Sequence, residues 1–251
     1  DLTSNVSRNF TVTGSSRISG TCTPGTTSTI TLNGTTDVGG TFGGNSAWTL
    51  DLNASLDASP GTLSCPNASG SFTFSGATWK TPTTLTTNSG MITFDLAGTT
   101  TLGNASTQFN AVTVNNGATV NTSAASSYAL TWAGACSVSG TITPNASVIT
   151  GNGAVTVNNG GVLGGKSGWM GAFNADVTIA RGGQMVCLGA SVTLGTLTSI
   201  ITVVNQGDIQ GRVTVRNCRI NPGRKYPTTE TDDITRIGAS ILIPSVTWKK
   251  V

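Results

Sequence analysis

Apolar and polar residues alternate in short stretches along this chain, and the alternation returns at a nearly constant interval. The repeated phrase is an apolar residue, a threonine and a second apolar residue. Its copies are Phe10-Thr11-Val12, Ile30-Thr31-Leu32, Trp48-Thr49-Leu50, Phe72-Thr73-Phe74, Ile92-Thr93-Phe94, Val112-Thr113-Val114, Leu130-Thr131-Trp132, Val155-Thr156-Val157 and Val177-Thr178-Ile179. Their mean spacing of about 21 residues is typical of solenoids, and a period of two predicts a strand with one buried face. The sequence therefore predicts an all-β fold, a parallel β-helix-like β-solenoid with one short strand per copy.

Two copies of the phrase lead into matching corners. The stretches 109–120 and 154–163 each run from a strand into Asn-Asn-Gly, at Asn115-Asn116-Gly117 and Asn158-Asn159-Gly160. Asn and Gly tolerate left-handed backbone conformations, and stacked asparagines can hydrogen-bond to one another. We therefore expect these corners to hold the register of the rungs.

The regularity of the phrase divides the chain into three segments. We expect irregular N-terminal rungs over residues 1–70, a regular solenoid over 71–215, and a C-terminal cap or docking segment over 216–251. The last rung of a solenoid exposes strand edges that need a cap, and this is the first interpretation of the C-terminal segment. The alternative is that its apolar residues pair with a neighbouring subunit, which in an end-to-end stack would make a filament. The residues expected to make that contact are Ile241, Leu242, Ile243, Val246 and Trp248.

Charge is scarce and unevenly distributed. Only 9% of the residues are charged, and residues 1–210 carry five basic and seven acidic side chains. That body has no positive field to hold a nucleic acid backbone, so we expect no nucleic acid partner. Residues 211–251 carry eight basic and three acidic side chains. A solvated terminus is favoured there over docking on an anionic surface.

The five cysteines, which are widely spaced, lack the pattern of a metal site. The chain has no histidine and no Cys-x-x-Cys motif, so zinc is not expected. Cys22 and Cys65, or Cys136 and Cys187, would lie about two rungs apart. Two strand spacings amount to roughly 9–10 Å, which is too long for a disulfide unless loops shift the residues. Buried free thiols are favoured over disulfides.

The chain also resembles a known class of proteins. The phrase Thr99-Thr100-Thr101-Leu102-Gly103-Asn104, followed by the stretch 109–120, resembles rungs of bacterial and phage surface β-helix proteins, such as adhesin passengers and tail or virion surface proteins. The resemblance implies an extracellular or virion-surface scaffold and carries no catalytic residues. The chain begins at Asp1 without a visible signal peptide, so we expect a processed or truncated mature chain. No stretch of about 18 apolar residues occurs, and we expect no membrane span.

Candidate chemistry is sparse. Asp51 and Asp95 each follow a copy of the phrase, and we expect them on one outward stripe with Ser75 between them. Glycoside hydrolysis needs two carboxylates about 5–10 Å apart, but solvated aspartates at strand exits are the favoured interpretation. Without histidine, Ser/His/Asp and Cys/His nucleophilic sites are excluded. No calcium-binding repeat occurs, and we expect no metal and no cofactor.

Two tryptophans raise the question of a glycan partner. Trp79 and Trp169 would stack on sugar rings if they were exposed, although packing in the core is favoured.

These observations predict a non-enzymatic structural building block of a virion surface, tail appendage or extracellular filament. We expect it to form a homo-oligomer or filament through strand edges and the C-terminal segment. The alternative is a carbohydrate-binding adhesin or receptor-binding spike with a surface glycan as its partner. A polysaccharide-cleaving enzyme is the third interpretation.

Overall fold

The computed structural model of the protein describes residues 8–103, 105–124, 128–165, 168–216, 218–221 and 237–238. All regular secondary structure in these residues is β-strand. The strands pair in parallel and stack into a β-solenoid with rungs of about 21 residues. The predicted fold class is therefore confirmed.

Each complete rung contains three strands, one on each of three faces, where the sequence analysis predicted a single strand. Face 1 is one sheet of eleven strands. Its strands are β1 (Phe10–Val12), β4 (Thr29–Leu32), β7 (Thr49–Leu52), β10 (Ser71–Phe74), β13 (Met91–Phe94), β16 (Ala111–Val114), β19 (Cys136–Val138), β22 (Val155–Val157), β25 (Val177–Ile179), β27 (Ile201–Asn205) and β29 (Cys218–Asn221).

Faces 2 and 3 follow face 1 in every rung. Face 2 contains β2 (Ser16–Ile18), β5 (Thr36–Val38), β8 (Leu56–Asp57), β11 (Thr78–Lys80), β14 (Gly98–Gly103), β17 (Ala118–Asn121), β20 (Thr141–Thr143), β23 (Val162–Gly164), the first halves of β26 (Gln184–Leu194) and β28 (Asp208–Val215), and β30 (Ile237–Gly238). Face 3 contains β3 (Thr21–Cys22), β6 (Thr41–Gly43), β9 (Thr62–Ser64), β12 (Thr84–Thr86), β15 (Thr107–Phe109), β18 (Ala129–Trp132), β21 (Val148–Gly151), β24 (Met170–Phe173) and the second halves of β26 and β28. Because β26 pairs with β23 and with β24, the two faces join there into one sheet.

Most copies of the repeated phrase stack on face 1 in register. Phe10 lies opposite Ile30, and Phe72 lies opposite Ile92. Two copies depart from this pattern. Trp48-Thr49-Leu50 is shifted by two residues, since Leu50 lies opposite Ile30. Leu130-Thr131-Trp132 lies on β18 of face 3, and the next strand on face 1 is β19. The phrase marks any strand with one buried face, so it does not distinguish between the faces.

The inward residues form one apolar core along the solenoid axis. It contains a group of aromatic rings around Trp79, which is fully buried. The Trp79 ring meets Phe74 edge-on at 5.3 Å and Phe109 at 5.5 Å between centroids. Aromatic pairs in this geometry add to the stabilisation that burial alone provides.

Face 3 is interrupted once, between β12 and β15, which do not pair. Asn88 and Ser89 follow β12 with φ values of 46° and 61°. The Asn88 side chain donates to the Cys65 carbonyl at 2.7 Å, which supports this left-handed turn. Face 1 continues through the same rungs without a break, so residue 70 does not mark a change in pairing there.

Four cysteines are free and buried, namely Cys22, Cys65, Cys136 and Cys187. The favoured prediction of buried thiols holds for these four. Burial raises the pKa of the Cys65, Cys136 and Cys187 thiols to about 12. They therefore stay protonated and behave as small apolar side chains.

Candidate assembly surface

Within the described residues, the first rung is formed by β1, β2 and β3, and its strands are paired on one side only. The Val12 carbonyl accepts a hydrogen bond of 2.9 Å from the Asn33 N–H, and the Ser16 N–H donates to the Thr35 carbonyl at 2.9 Å. Among the described strands, none pairs with the opposite edges of these three. Edges of this kind are templates for pairing with another chain.

The direction of the backbone groups in this rung follows from those hydrogen bonds. In a strand, successive residues present their N–H and C=O groups to opposite neighbours. Val12 and Ser16 point toward the second rung, so Thr11 and Arg17 point their backbone groups toward the open side. Both side chains are exposed. The open edge is therefore accessible on face 1 and face 2.

The apolar core is also incompletely covered at this end. Phe10, Val12 and Ile18 are half-buried, whereas Leu32 and Phe42 in the next rung are only 2% and 0% exposed. A cavity of about 240 Å³ opens between these residues. The first rung thus presents apolar surface surrounded by strand edges, which favours burial against a matching surface.

A row of charges lies on the outer side of face 2, beginning at this end. The register places Arg17, Asp37, Asp57 and Lys80 in consecutive rungs. Lys80 Nζ contacts Asp57 Oδ2 at 2.6 Å, and Arg17 Nε lies 4.0 Å from Asp37 Oδ2. The hydrogen bond from Lys80, supported by one from Ser59, lowers the pKa of Asp57. The two acids are flanked by two bases, so this row is neutral and serves register more than ligand attraction.

A second outer row consists of amide and acid side chains that bond along the solenoid axis. Asn53 Nδ2 donates to Asn33 Oδ1 at 2.8 Å, and Asn115 Nδ2 donates to Asp95 Oδ1 at 2.6 Å. Asn158 Nδ2 donates to the Ser137 and Ser139 hydroxyls at 2.9 Å. Asn115 and Asn158 of the Asn-Asn-Gly corners thus bond to neighbouring rungs, but their partners are Asp95 and serines and not the stacked asparagines that we expected.

The expected pairing of Asp51 with Asp95 is wrong. Residues that lie opposite one another in successive rungs form a column along the solenoid axis, and Asp51 is in the column of Thr73 in β10. The Asp95 N–H donates to the Phe74 carbonyl, which places Asp95 in the column of Ser75. The two acids are therefore two rungs and two strand positions apart, about 12 Å between Cα atoms. They occupy different columns because Leu50, and not Trp48, lies opposite Ile30.

The proposed glycan-stacking residues are not accessible either. Trp79 and Trp169 are both 0% exposed. A Cβ at Gly171 would lie 2.5 Å from Cζ3 of Trp169, so the absence of a side chain at this inward position leaves room for the indole ring. Both indole rings thus lie in the core, which was the favoured interpretation of their sequence positions.

Some candidate residues lie outside the described part of the chain, namely Ile241, Leu242, Ile243, Val246 and Trp248. The prediction that they make the subunit contact therefore stays a prediction. The outer edge of the first rung was not among the expectations from the sequence, because Phe10-Thr11-Val12 resembles the other copies of the phrase.

The described residues contain no group of three or more acidic, Cys or His side chains placed to hold a metal ion. No helix in the described part of the chain has the length and apolar character needed to cross a membrane. In comparisons with known proteins, no family model, curated protein or solved structure matches this chain.

Proposed function

We propose that this protein is a non-enzymatic structural building block that associates with further copies of itself through the strand edges of its first rung. The proposed setting is a virion surface, a tail appendage or an extracellular filament, in agreement with the surface β-helix proteins that the rungs resemble. The observation that carries the proposal is the first rung, whose outer edges pair with no described strand and whose Phe10, Val12 and Ile18 are half-buried.

The shape of the open end indicates what kind of partner it accepts. Three strand edges surround one apolar core, and they are separated by the corners of the rung. A single extended peptide would satisfy one edge and leave the others and the cavity uncovered. A second solenoid end presents three edges around an apolar core in the same arrangement. A second copy of this chain is therefore the partner with matching geometry.

The body of the solenoid suits a structural role. Parallel strands in register run through all the rungs of face 1, and inward residues pack in one continuous core. Each rung is held by its neighbours through hydrogen bonds and packing, as in other repeat proteins. A force applied at one end is therefore transmitted along the whole stack.

A substitution in β1 tests the proposal. Thr11→Pro removes the N–H that points to the open edge and leaves the bonds between β1 and β4 in place, since proline is tolerated on the free side of an edge strand. We expect self-association in sedimentation velocity to weaken by about tenfold or more. Thr11→Ala, which keeps the N–H, is the matched control and should associate like the unmodified chain.

Two results would contradict this proposal. One is a chain that remains monomeric over the whole concentration range. The other is a Thr11→Pro variant that is folded by circular dichroism and associates as strongly as the Thr11→Ala control.

A further inference from the structure

Four Asn-Gly pairs occur in the chain, at Asn33-Gly34, Asn116-Gly117, Asn152-Gly153 and Asn159-Gly160. In such a pair the glycine nitrogen can attack the side-chain carbonyl carbon of the asparagine, since glycine has no Cβ to hinder the approach. The attack needs a glycine N–H without a hydrogen-bond partner and an asparagine side chain that can turn back toward it. The structure separates the four pairs on both requirements.

Two of these pairs lie in corners with the same local sequence and the same turn. The corners 115–118 and 158–161 both begin with Asn-Asn-Gly. In each, the N–H of the last residue donates to the carbonyl of the first, at 3.1 Å and 2.9 Å. The asparagine and the glycine of each pair are exposed. Local sequence and exposure therefore do not distinguish Asn116 from Asn159.

The neighbouring rung does distinguish them. The corner 158–161 stacks against the corner 180–183 of the next rung, which has the same length. The Gly160 N–H donates to the Gly182 carbonyl at 3.1 Å. A Cβ at Gly182 would lie 2.1 Å from Asn159 Oδ1, so the asparagine side chain packs against this glycine. The next rung therefore holds both reacting groups of Asn159-Gly160.

The corner 115–118 is left uncovered by its next rung. The strands that flank it pair with two strands separated only by Ser139 and Gly140, so the next corner contains two residues where this one contains four. Among the described residues, none hydrogen-bonds to the Asn116 side chain or to the Gly117 N–H. Apart from its chain neighbours, no described atom lies within 4 Å of the position of a Cβ at Gly117. Both reacting groups are therefore free to move.

The asparagines of the other two pairs are held by their own columns. Asn53 Nδ2 donates to Asn33 Oδ1, and Asn174 Nδ2 donates to Asn152 Oδ1, each at 2.8 Å. These bonds fix the two side chains toward the next rung. Asn116 is thus the one asparagine of the four pairs whose side chain the described structure leaves unbound.

We propose that Asn116 is a site of spontaneous deamidation in the folded protein. The Gly117 nitrogen forms a bond to Cγ of Asn116, its proton passes to the side-chain amide nitrogen, and ammonia leaves, which gives a cyclic imide. Water then opens the imide at one of its carbonyls and gives aspartate or isoaspartate. No oxidant or reductant is consumed. This modification site is independent of the proposed assembly contact.

The product changes a corner on which the next rung rests. A Cβ at Gly140 would lie 2.2 Å from the Ala118 carbonyl oxygen and 2.3 Å from that of Asn115, so Gly140 packs directly on the turn. Isoaspartate carries the backbone through the side-chain carbon and lengthens this turn. Either product adds a negative charge beside the residue that donates to Asp95. We therefore expect aged protein to unfold at a lower urea concentration than fresh protein.

Peptide mapping of the folded full chain tests the proposal. The chain is incubated at pH 8, and the products at each Asn-Gly pair are quantified by mass spectrometry and by labelling with isoaspartyl methyltransferase. We expect conversion at Asn116 to be faster than at Asn159 by about tenfold or more, because the hydrogen bond of Gly160 must break before that pair reacts. Asn116→Gln should remove most of the isoaspartate, and the matched variant Asn159→Gln should leave it unchanged.

The same chain unfolded in urea separates the effect of the fold from that of the local sequence. Both asparagines lie in a Val-Asn-Asn-Gly sequence, so they should convert at similar rates there. Equal conversion of Asn116 and Asn159 in the folded chain, or no conversion at Asn116, would overturn the proposal. A preference for Asn116 that persists in urea would also overturn it, since the preference would then come from the local sequence.

Discussion

Burial in the solenoid changes the acid–base chemistry of the cysteine side chains. Cys136 lies between Val112 and Val155 in the stack of inward side chains on face 1, and the residues at its position in those rungs are valines. In this apolar column the charged thiolate is disfavoured, so the pKa of Cys136 rises to about 12. The same cause acts on Cys65 and Cys187. Cysteine at these sites acts as a filler of the core.

This burial predicts a loss of stability in alkali. The unfolded thiol has a pKa near 9.0, so above that pH the unfolded state loses protons that the folded state keeps. The free energy of unfolding then falls with rising pH, by about 1.4 kcal/mol per pH unit for each of the three thiols, up to the folded pKa. Urea unfolding at pH 7, 9, 10 and 11 measures this slope.

The control is Cys136→Val, which repeats the residue of the neighbouring rungs. It should reduce the alkaline slope by about 1.4 kcal/mol per pH unit while preserving the packing. An unchanged slope in this variant would show that the Cys136 thiol does not titrate differently in the folded state.

The sequence predicts which residues point inward, but it does not predict which residues of neighbouring rungs lie opposite them. The stretch Trp48-Thr49-Leu50-Asp51-Leu52 contains three alternating apolar residues, so two registers that differ by two residues both bury apolar side chains. The neighbouring strands decide between them, because Leu50 and Leu52 pair with Ile30 and Leu32. The position of Asp51 relative to Asp95 depends on this tertiary choice.

At the scale of elements, the close spacing of strands imposes demands on particular glycines. Gly43 in β6 has a φ of +106°, and a Cβ there would lie 1.8 Å from the Ser64 carbonyl oxygen in β9. Gly117 at its corner has a φ of +84°, with no atom within 4 Å of the position of a Cβ. The two glycines share a left-handed backbone and differ in whether a neighbouring rung occupies the space.

This pair gives a matched test of rung stacking. Gly117→Ala should lower the free energy of unfolding by about 1–2 kcal/mol, the cost of a left-handed backbone in a residue with a Cβ. Gly43→Ala should cost more than about 3 kcal/mol, because β6 and β9 must also move apart. Urea unfolding of both variants under identical conditions compares them. Equal losses would contradict the close packing of β6 on β9.

Only part of the element pattern is visible in the sequence. Face 1 repeats a phrase with apolar residues on both sides of a threonine, and this repetition predicts the solenoid. Face 2 uses strands such as Ser16-Arg17-Ile18 and Thr36-Asp37-Val38, in which polar residues occupy two of three positions. Stacking and backbone hydrogen bonds hold such strands in place. Their local sequence therefore does not identify them as strands, and the three-strand rung was not predicted.

At the scale of the whole molecule, the two ends of the solenoid differ. The first rung leaves Phe10, Val12 and Ile18 half-buried around a cavity of about 240 Å³, whereas Val213 and Val215 near the other end are buried. This difference supports the proposal that copies associate through the first rung. The sequence favoured the apolar residues of the C-terminal segment for that contact, and those residues lie outside the described part of the chain.

Hydrogen exchange at the first rung, measured as a function of protein concentration, tests the central claim most directly. The backbone amides of Thr11 and Arg17 point to the open edge, whereas the amide of Thr31 in the second rung lies between paired strands. If copies associate through the first rung, exchange at Thr11 and Arg17 slows as concentration rises, and exchange at Thr31 does not change. If the protein associates while Thr11 and Arg17 exchange at the same rate, or if it does not associate at all, the first rung is not the assembly surface.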